Sequence, residues 1–554
     1  MTTASTSPES KPKESVFDRF LSTVERVGNK LPEPFTLFLI LFLITAVIST
    51  VMAMMNISVQ VPGAEKPTVI KGLFTGEGMA WITTTLGSNY VGFPPLVTVL
   101  PILLAVGVAE KTGFLAVSVR AIFGAAPRWM LPYVVGFVGV VGSIMADSAF
   151  VVIPPLAALV FKAVGRHPVA GLIGGFAAAG AGYSTSIVPT SLDALFAGIT
   201  TKVMESLPNF EFAEVTPVSN YYFNIASSIV LSLLAGLVIH KVVEPRIERL
   251  GISREYVTSD DDDADASIPT SARQDSAQKD NVRRDKSTHF EGEATSLEMD
   301  TSERKGLRAA LIAGGILTIV MLVSILIPSS PWRNETGGFL PKSPLLQSIV
   351  FIVFAYFMLM GVVYGKVVGV MKDMTDLVGF MMAALKDVLG FLVLAFILGQ
   401  FIALFNWTGI GQFTAVNGAA FLEHIGLTGF GAILAFIVLA SCLNLLIISG
   451  SSMWTLMAAV FVPMFALIGY EPAFVQAAFR VGDSATQIIT PLNPYMIVLL
   501  SMMRRYEPEV GFGSVMARML PFVIPFWIAW AALLAIWFFF DLPLGPGNGI
   551  MLPA

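Results

Sequence analysis

GYSTSIVPTSLD, residues Gly182 to Asp193, is echoed by GDSATQIITPLN, residues Gly482 to Asn493, at an offset of 300 (482 − 182). Gly182, Ser184, Thr190 and Leu192 recur in identical places. A second gapless match precedes this one. Asp147 to Pro168 lies over Ser451 to Pro472 at an offset of 304 (451 − 147), pairing Ser148 with Ser452, Phe161 with Phe465, Gly165 with Gly469 and Pro168 with Pro472; aromatic Phe150 falls on Trp454. Two matched blocks in the same order, each interrupting apolar sequence with small polar residues, read as an internal repeat with broken helices. Asp147, Asp193, Arg480 and Asp483 sit in or beside these blocks. A charge at bilayer depth costs roughly 2.5 to 3.5 kcal/mol on insertion scales, so such residues persist where they line a substrate or ion path.

The surrounding sequence supplies the bilayer. Of 554 residues, 55% are hydrophobic and 13% charged, and the mean hydropathy is +0.74. Apolar runs approach the ~20 residues that span hydrocarbon, which excludes a soluble globule and makes the lipid bilayer the first partner. Cys442, the single cysteine, rules out an intrachain disulfide. His167, His240, His289 and His424 are too scattered for a metal cluster. No metal or organic cofactor and no nucleic-acid partner is expected. Neither HExxH nor a nucleotide-binding P-loop occurs, so the chain reads as a transporter and not as an enzyme or an ATP-driven pump. A channel would need a repeated filter loop, which is not found. The basic N-terminus lacks a small-residue cleavage site and is read as retained.

Nine spans are expected, at 34–56, 91–110, 168–200, 219–243, 307–328, 344–365, 384–405, 472–503 and 513–539. The Lys/Arg-bearing connections then share one side, which the positive-inside rule makes cytoplasmic. The N-terminus is expected in the cytoplasm and the C-terminus outside it, with the spans at 168–200 and 472–503 running in opposite directions. Two further apolar stretches, 129–165 and 431–469, are interrupted at Gly142 to Ser148 and at Ser449 to Trp454. These read as re-entrant hairpins, because non-helical backbone at membrane depth is tolerated only inside protein or beside a wet cavity. The expected fold is thus an all-α polytopic membrane protein with inverted repeats. Its segments are a cytoplasmic N-terminal stretch (1–33), a first membrane half (34–243), an acidic disordered linker (244–306), a second half (307–543) and an extracytoplasmic tail (544–554). Because the linker is polar and lies outside the packed halves, replacing residues 255 to 300 by a Gly/Ser spacer should leave flux in proteoliposomes nearly intact. A folded, inserted protein without transport would assign regulation to the acidic block.

Arg480 and Asp483, three residues apart, share a helix face and are expected to pair, either around a substrate carboxylate or as a structural ion pair. Trp454 is read as a stacking surface or as core packing. Ser451 and Asn444 offer hydrogen bonds to substrate or ion. Asp193 and Asp483 are candidates for the coupling proton or Na⁺, with Asp193 alternatively capping the helix that follows. Pro472, Pro491, Gly182 and Gly482 are read as shaping the helix breaks. Asp147, Ser148, Ser184, Ser186 and Asn493 form a second tier.

From Asn29 to Gly547 the chain also resembles the p-aminobenzoyl-glutamate transporter (AbgT) family, most specifically in GRHPVAGL (Gly165 to Leu172), SLDALFAGIT (Ser191 to Thr200), FNWTGIGQ (Phe405 to Gln412) and RVGDSATQIITP (Arg480 to Pro491). The resemblance implies nine spans, two hairpins, a homodimer in the bacterial inner membrane, and secondary transport of p-aminobenzoyl-glutamate driven by H⁺ or Na⁺. It implies functional roles for Asp193, Asn444, Ser451, Trp454, Pro472, Arg480, Asp483 and Pro491. Export of sulfonamide antimetabolites is the alternative within the family, and a Na⁺-coupled dicarboxylate carrier is the alternative outside it. Ser186 stands where family members often carry Asn, which alters the hydrogen bonds on offer.

Overall fold

The computed structural model describes residues 32–62, 66–207, 210–255, 299–340, 342–447, 449–490 and 492–552. Pro491, residues 256–298 of the linker, residues 1–31 of the N-terminal segment and residues 553–554 of the tail lie outside the described residues.

The fold is all-α apart from a two-residue antiparallel pair, Ser58–Val59 with Thr68–Val69. The first half comprises α1 (Pro34–Met54), α2 (Gly76–Val91), α3 (Pro94–Lys111), α4 (Phe114–Gly124), α5 (Leu131–Val141), α6 (Ala149–Ala163), α7 (Pro168–Ala181), α8 (Ser191–Met204) and α9 (Tyr221–Val238). After α10 (Thr301–Leu326) the same order returns as α11 (Ile349–Val368), α12 (Met374–Asp387), α13 (Leu389–Trp407), α14 (Ile410–His424), α15 (Phe430–Asn444), α16 (Gly450–Leu467), α17 (Pro472–Thr486), α18 (Tyr495–Arg504) and α19 (Phe512–Phe539). Packing follows the repeat: α3 lies against α11 and α12, while α13 lies against α1 and α2. Between the halves α10 buries only Gly306, Ala310 and Gly314, leaving an apolar helix turned to its surroundings.

Among the described residues, nine helical segments are long and apolar enough to cross a membrane. Seven of them overlap expected spans and two do not. Leu131–Ala163 and Gly450–Leu467, which contain hairpin arms, qualify on length and composition. The expected spans at 168–200 and 472–503 do not, because each is cut in two: α7 and α8 have 14 residues each, α17 has 15 and α18 has 10. Proline at the first helical position starts both α7 and α17, where its missing N–H leaves nothing unsatisfied. Every residue of α7 and α17 is buried, so the repeated blocks form the centre of the molecule. The short helices α2, α4, α12 and α14, in what the sequence read as connections or span edges, had no separate place in the expected scheme.

Both hairpins are present. The chain between α5 and α6 runs through a tight turn, Gly142–Ser148, in which Ala146 takes φ 48° and ψ −129°. Between α15 and α16 the Ser449 side chain caps the new helix by accepting the Ser452 N–H. The repeat also shows at Gly182 and Gly482. A Cβ at Gly182 would strike the backbone of Val140, and one at Gly482 would lie 2.5 Å from the Ala440 Cβ and 2.7 Å from the Ile437 carbonyl oxygen. Overpacking of this kind costs about 1 to 3 kcal/mol. Gly482→Ala should therefore lower the thermal midpoint in detergent, while Gly379→Ala in α12, where the added carbon meets nothing within 4 Å, should not. Equal midpoints for the two variants would contradict the close approach.

Candidate transport site

The unwound chain after α7 meets α17 at the contact between the halves. Ser184 and Ser484, equivalent at the offset of 300, hydrogen-bond hydroxyl to hydroxyl, and the Ser184 N–H donates to the Ser484 Oγ at 3.2 Å. Helix ends leave carbonyls without intrahelical partners. Arg480 takes one of them, its Nη1 donating to the Ser184 oxygen at 2.6 Å.

The same Nη1 lies 2.7 Å from the Asp193 Oδ1, and the guanidinium carbon sits 5.2 Å from the centre of the Phe196 ring. Arg480 and Asp193 are only 2% and 3% exposed, so this is a fully enclosed ion pair joining the two halves. Asp193 is held from behind as the third residue of α8. The Thr190 N–H and hydroxyl donate to its Oδ2 at 2.7 and 2.8 Å, and Asn224 Nδ2 donates to its Oδ1 at 3.2 Å. The capping role considered for Asp193 and its charge-pairing role thus coexist. The expected pairing of Arg480 with Asp483 is not what forms. Arg480 reaches across the interface to two fixed acceptors, whereas both Asp483 carboxylate oxygens are buried without a hydrogen-bond partner. What holds the Asp483 turn is Asn444, whose Nδ2 donates to the Asp483 main-chain oxygen and, at 2.9 Å, to the Thr486 hydroxyl.

Trp454 also departs from the stacking role. It is fully buried in α16, its Nε1 donates to the Thr200 hydroxyl at 3.1 Å, and its ring packs 4.6 Å from that of Phe479. Core packing is the reading its geometry fits. The aromatic side chain that lines a cavity is instead Phe150, the residue the repeat aligned with Trp454, itself buried in the wall. Phe150 stacks on Tyr495 with ring centres 5.3 Å apart and planes 5° from parallel.

A cavity of about 630 Å³ lies between the hairpin tips, lined by Asp147 from one and by Ser449 and Ser451 from the other. Phe150, Tyr183, Gln487, Asn493 and Tyr495 complete much of its wall. A smaller cavity of about 180 Å³ shares Asp147, Phe150 and Tyr183, and adds Ser143, Ser191 and Leu192. The size of the larger one falls in the ~300 to 1,000 Å³ range of small-molecule sites. Asp147 is exposed to this space, and Tyr495 lines the same cavity. Of the remaining candidates, Ser148 donates to the Glu110 carboxylate at 2.7 Å, Ser186 accepts the Val188 N–H at 3.3 Å, and Asn493 accepts the Tyr495 N–H at 3.0 Å. Pro472 is the first residue of α17, and Gly182 directly follows the last residue of α7.

The structure thus brings Asp147, Ser451 and Asn493 together at the cavity, while Asp193, Arg480, Asp483 and Asn444 are buried and do not line it. Sequence reasoning missed Tyr183, Gln487 and Tyr495. Tyr183 and Gln487 lie inside the matched stretches and Tyr495 just beyond one, but as uncharged side chains they carried no burial argument. Among the described residues no cluster of three or more His, Cys, Asp or Glu side chains is placed to hold a metal ion.

The sequence profile described as the AbgT putative transporter family matches residues 19–279 and 279–552. The p-aminobenzoyl-glutamate transport protein of Escherichia coli (strain K12) is 32% identical over 544 residues, covering 98% of this chain and 99% of that protein. Two solved structures are similar along nearly the whole chain. The YdaH transporter of Alcanivorax borkumensis, described as having an unusual topology, superposes with a TM-score of 0.82 at 32% identity, covering 93% of this chain and 100% of that one. MtrF of Neisseria gonorrhoeae, described as illuminating a class of antimetabolite efflux pumps, gives 0.82 at 35%, covering 96% and 100%.

Proposed function

This chain belongs to the AbgT transporter family, and on that premise we propose that it carries p-aminobenzoyl-glutamate across the bacterial inner membrane by secondary transport. The observation that carries the reading is the cavity between the two hairpin tips, at the contact of the two repeats. Inverted repeats with broken helices place substrate sites at such an interface, where half-helix ends supply partial charges without placing full charges in lipid. The substrate is an aromatic amide with carboxylates. Its match in this chain is a cavity with aromatic walls, small hydroxyl side chains at the start of α16, and a buried guanidinium outside its lining.

Arg480 is the substrate-carboxylate ligand in this proposal, and Asp193 holds its place in the conformation described here. A planar guanidinium can exchange one carboxylate for another, so the incoming substrate displaces Asp193 from Nη1 and can also engage Nε, which is buried without a partner. Asp483 carries the coupling ion. A buried carboxylate without a donor needs a proton or a cation to offset its lost hydration. Assembly as a homodimer, with the N-terminus cytoplasmic, belongs to the same proposal.

Flux of labelled p-aminobenzoyl-glutamate into proteoliposomes, with succinate and a sulfonamide as competitors and with imposed pH or Na⁺ gradients, tests it. Gradient-dependent uptake of p-aminobenzoyl-glutamate, resistant to excess succinate, is the expected result. Uptake of succinate alone would place the chain with dicarboxylate carriers. A similarity to an antimetabolite efflux pump favours export as the second reading, and the sign of the gradient that accumulates substrate decides between them.

A further inference from the structure

We propose that Asp147 receives the arylamine end of the substrate, so that the larger cavity binds its ligand in one orientation. This rests on the proposed substrate and deepens it. Among the described residues, the charged side chains lining the cavity are Asp147 and Glu33, with no Lys or Arg. A ligand carboxylate beside Asp147 would meet like charge, whereas an N–H donor would meet a carboxylate that is exposed to the cavity and has acceptor capacity to spare. The aromatic surface for such a donor is already in place. Phe150 and Tyr495 stack on each other in the wall that also carries Asp147, and a donor carried on an aromatic ring can pack against the edge of that stack with its N–H groups toward the carboxylate.

The opposite side of the cavity has the complementary chemistry. Ser449 and Ser451 line it at the start of the eighteen-residue α16, whose first-turn N–H groups favour an anion. Beside them Gln487 is 3% exposed, lines the cavity, and has its Oε1 buried without a partner. An unsatisfied amide oxygen in a cavity wall is a place for a ligand's N–H, here the amide N–H of the substrate, because leaving it unpaired is unfavourable. Tyr183 joins the two sides: it lines the cavity with Asp147, and its ring and hydroxyl pack against Gly450 at the start of α16. A p-aminobenzoyl-glutamate molecule therefore lies with its amine on the first hairpin and its amide and carboxylates toward the second.

The test compares p-aminobenzoyl-glutamate with benzoyl-glutamate, which lacks only the amine, by calorimetry on the full chain in detergent. The wild type should bind the amino compound roughly tenfold more tightly, a difference of about 1.4 kcal/mol. Asp147→Ala should bind the two alike. Asp147→Asn, which keeps a neutral acceptor and nearly the same shape, should retain part of the preference and serves as the variant of record if Asp147→Ala is not monodisperse. A wild type without preference, or a preference surviving in Asp147→Ala, overturns the subsite while leaving the proposed substrate standing. A wild type that binds neither compound overturns both.

Discussion

Replacing Arg480 by alanine should abolish p-aminobenzoyl-glutamate binding and also destabilise the protein severely. The two losses have different causes and can be separated. Removing the guanidinium strands Asp193 in a site where it is 3% exposed, and breaking a buried pair from one side costs about 3 to 5 kcal/mol. Adding Asp193→Asn to Arg480→Ala removes the stranded charge, and the Asn still accepts the Thr190 N–H that closes the α8 cap. The double variant should regain most of the thermal midpoint and none of the binding. If binding returns with stability, Arg480 is scaffold and the carboxylate site lies elsewhere.

Asp483→Asn should have the opposite profile. Its carboxylate oxygens contact no donor, and the turn is held through its main-chain oxygen by Asn444, so an isosteric amide disturbs little packing. Binding measured by calorimetry should stay within a few-fold of wild type, while accumulation driven by a pH or Na⁺ gradient in proteoliposomes should fall to background. The amide keeps the size of the side chain but fixes its charge at neutral, which removes any response to a coupling ion. Accumulation at wild-type rates in Asp483→Asn would take the ion role away from this residue.

Much of the fold was legible because the repeat is written in residues with strong local consequences. Pro168 and Pro472 start equivalent helices, and Gly182 and Gly482 sit where each crosses its hairpin too closely for a Cβ. The breaks at Gly142 to Ser148 and at Ser449 were marked by small polar residues inside apolar sequence, and both are real. What sequence did not yield is which charges meet. Arg480 and Asp483 share a helix face, but the choice between Asp483 and Asp193 depends on how α8 is presented across the interface, and no local spacing encodes that. Trp454 misled for a related reason. Its position at a hairpin start suggested access to substrate, yet Phe196 and Phe479, distant in sequence, close over it. Tyr183, Gln487 and Tyr495 gave no signal at all, because an uncharged side chain in a membrane helix is equally at home in packing and in a cavity wall.

The central claim is that substrate occupies the space between the hairpin tips. Cys442 is the sole cysteine in the sequence, so Cys442→Ser provides a cysteine-free background into which Ser451→Cys is introduced at the cavity wall. The measurement is the rate of modification of that single thiol by a small maleimide in proteoliposomes, with and without saturating p-aminobenzoyl-glutamate. The account predicts that substrate slows modification at least several-fold, while a cysteine placed at Gly379 of α12, where an added Cβ meets nothing within 4 Å, reacts at an unchanged rate. A Ser451→Cys protein that transports normally, yet is modified equally fast with and without substrate, would contradict it.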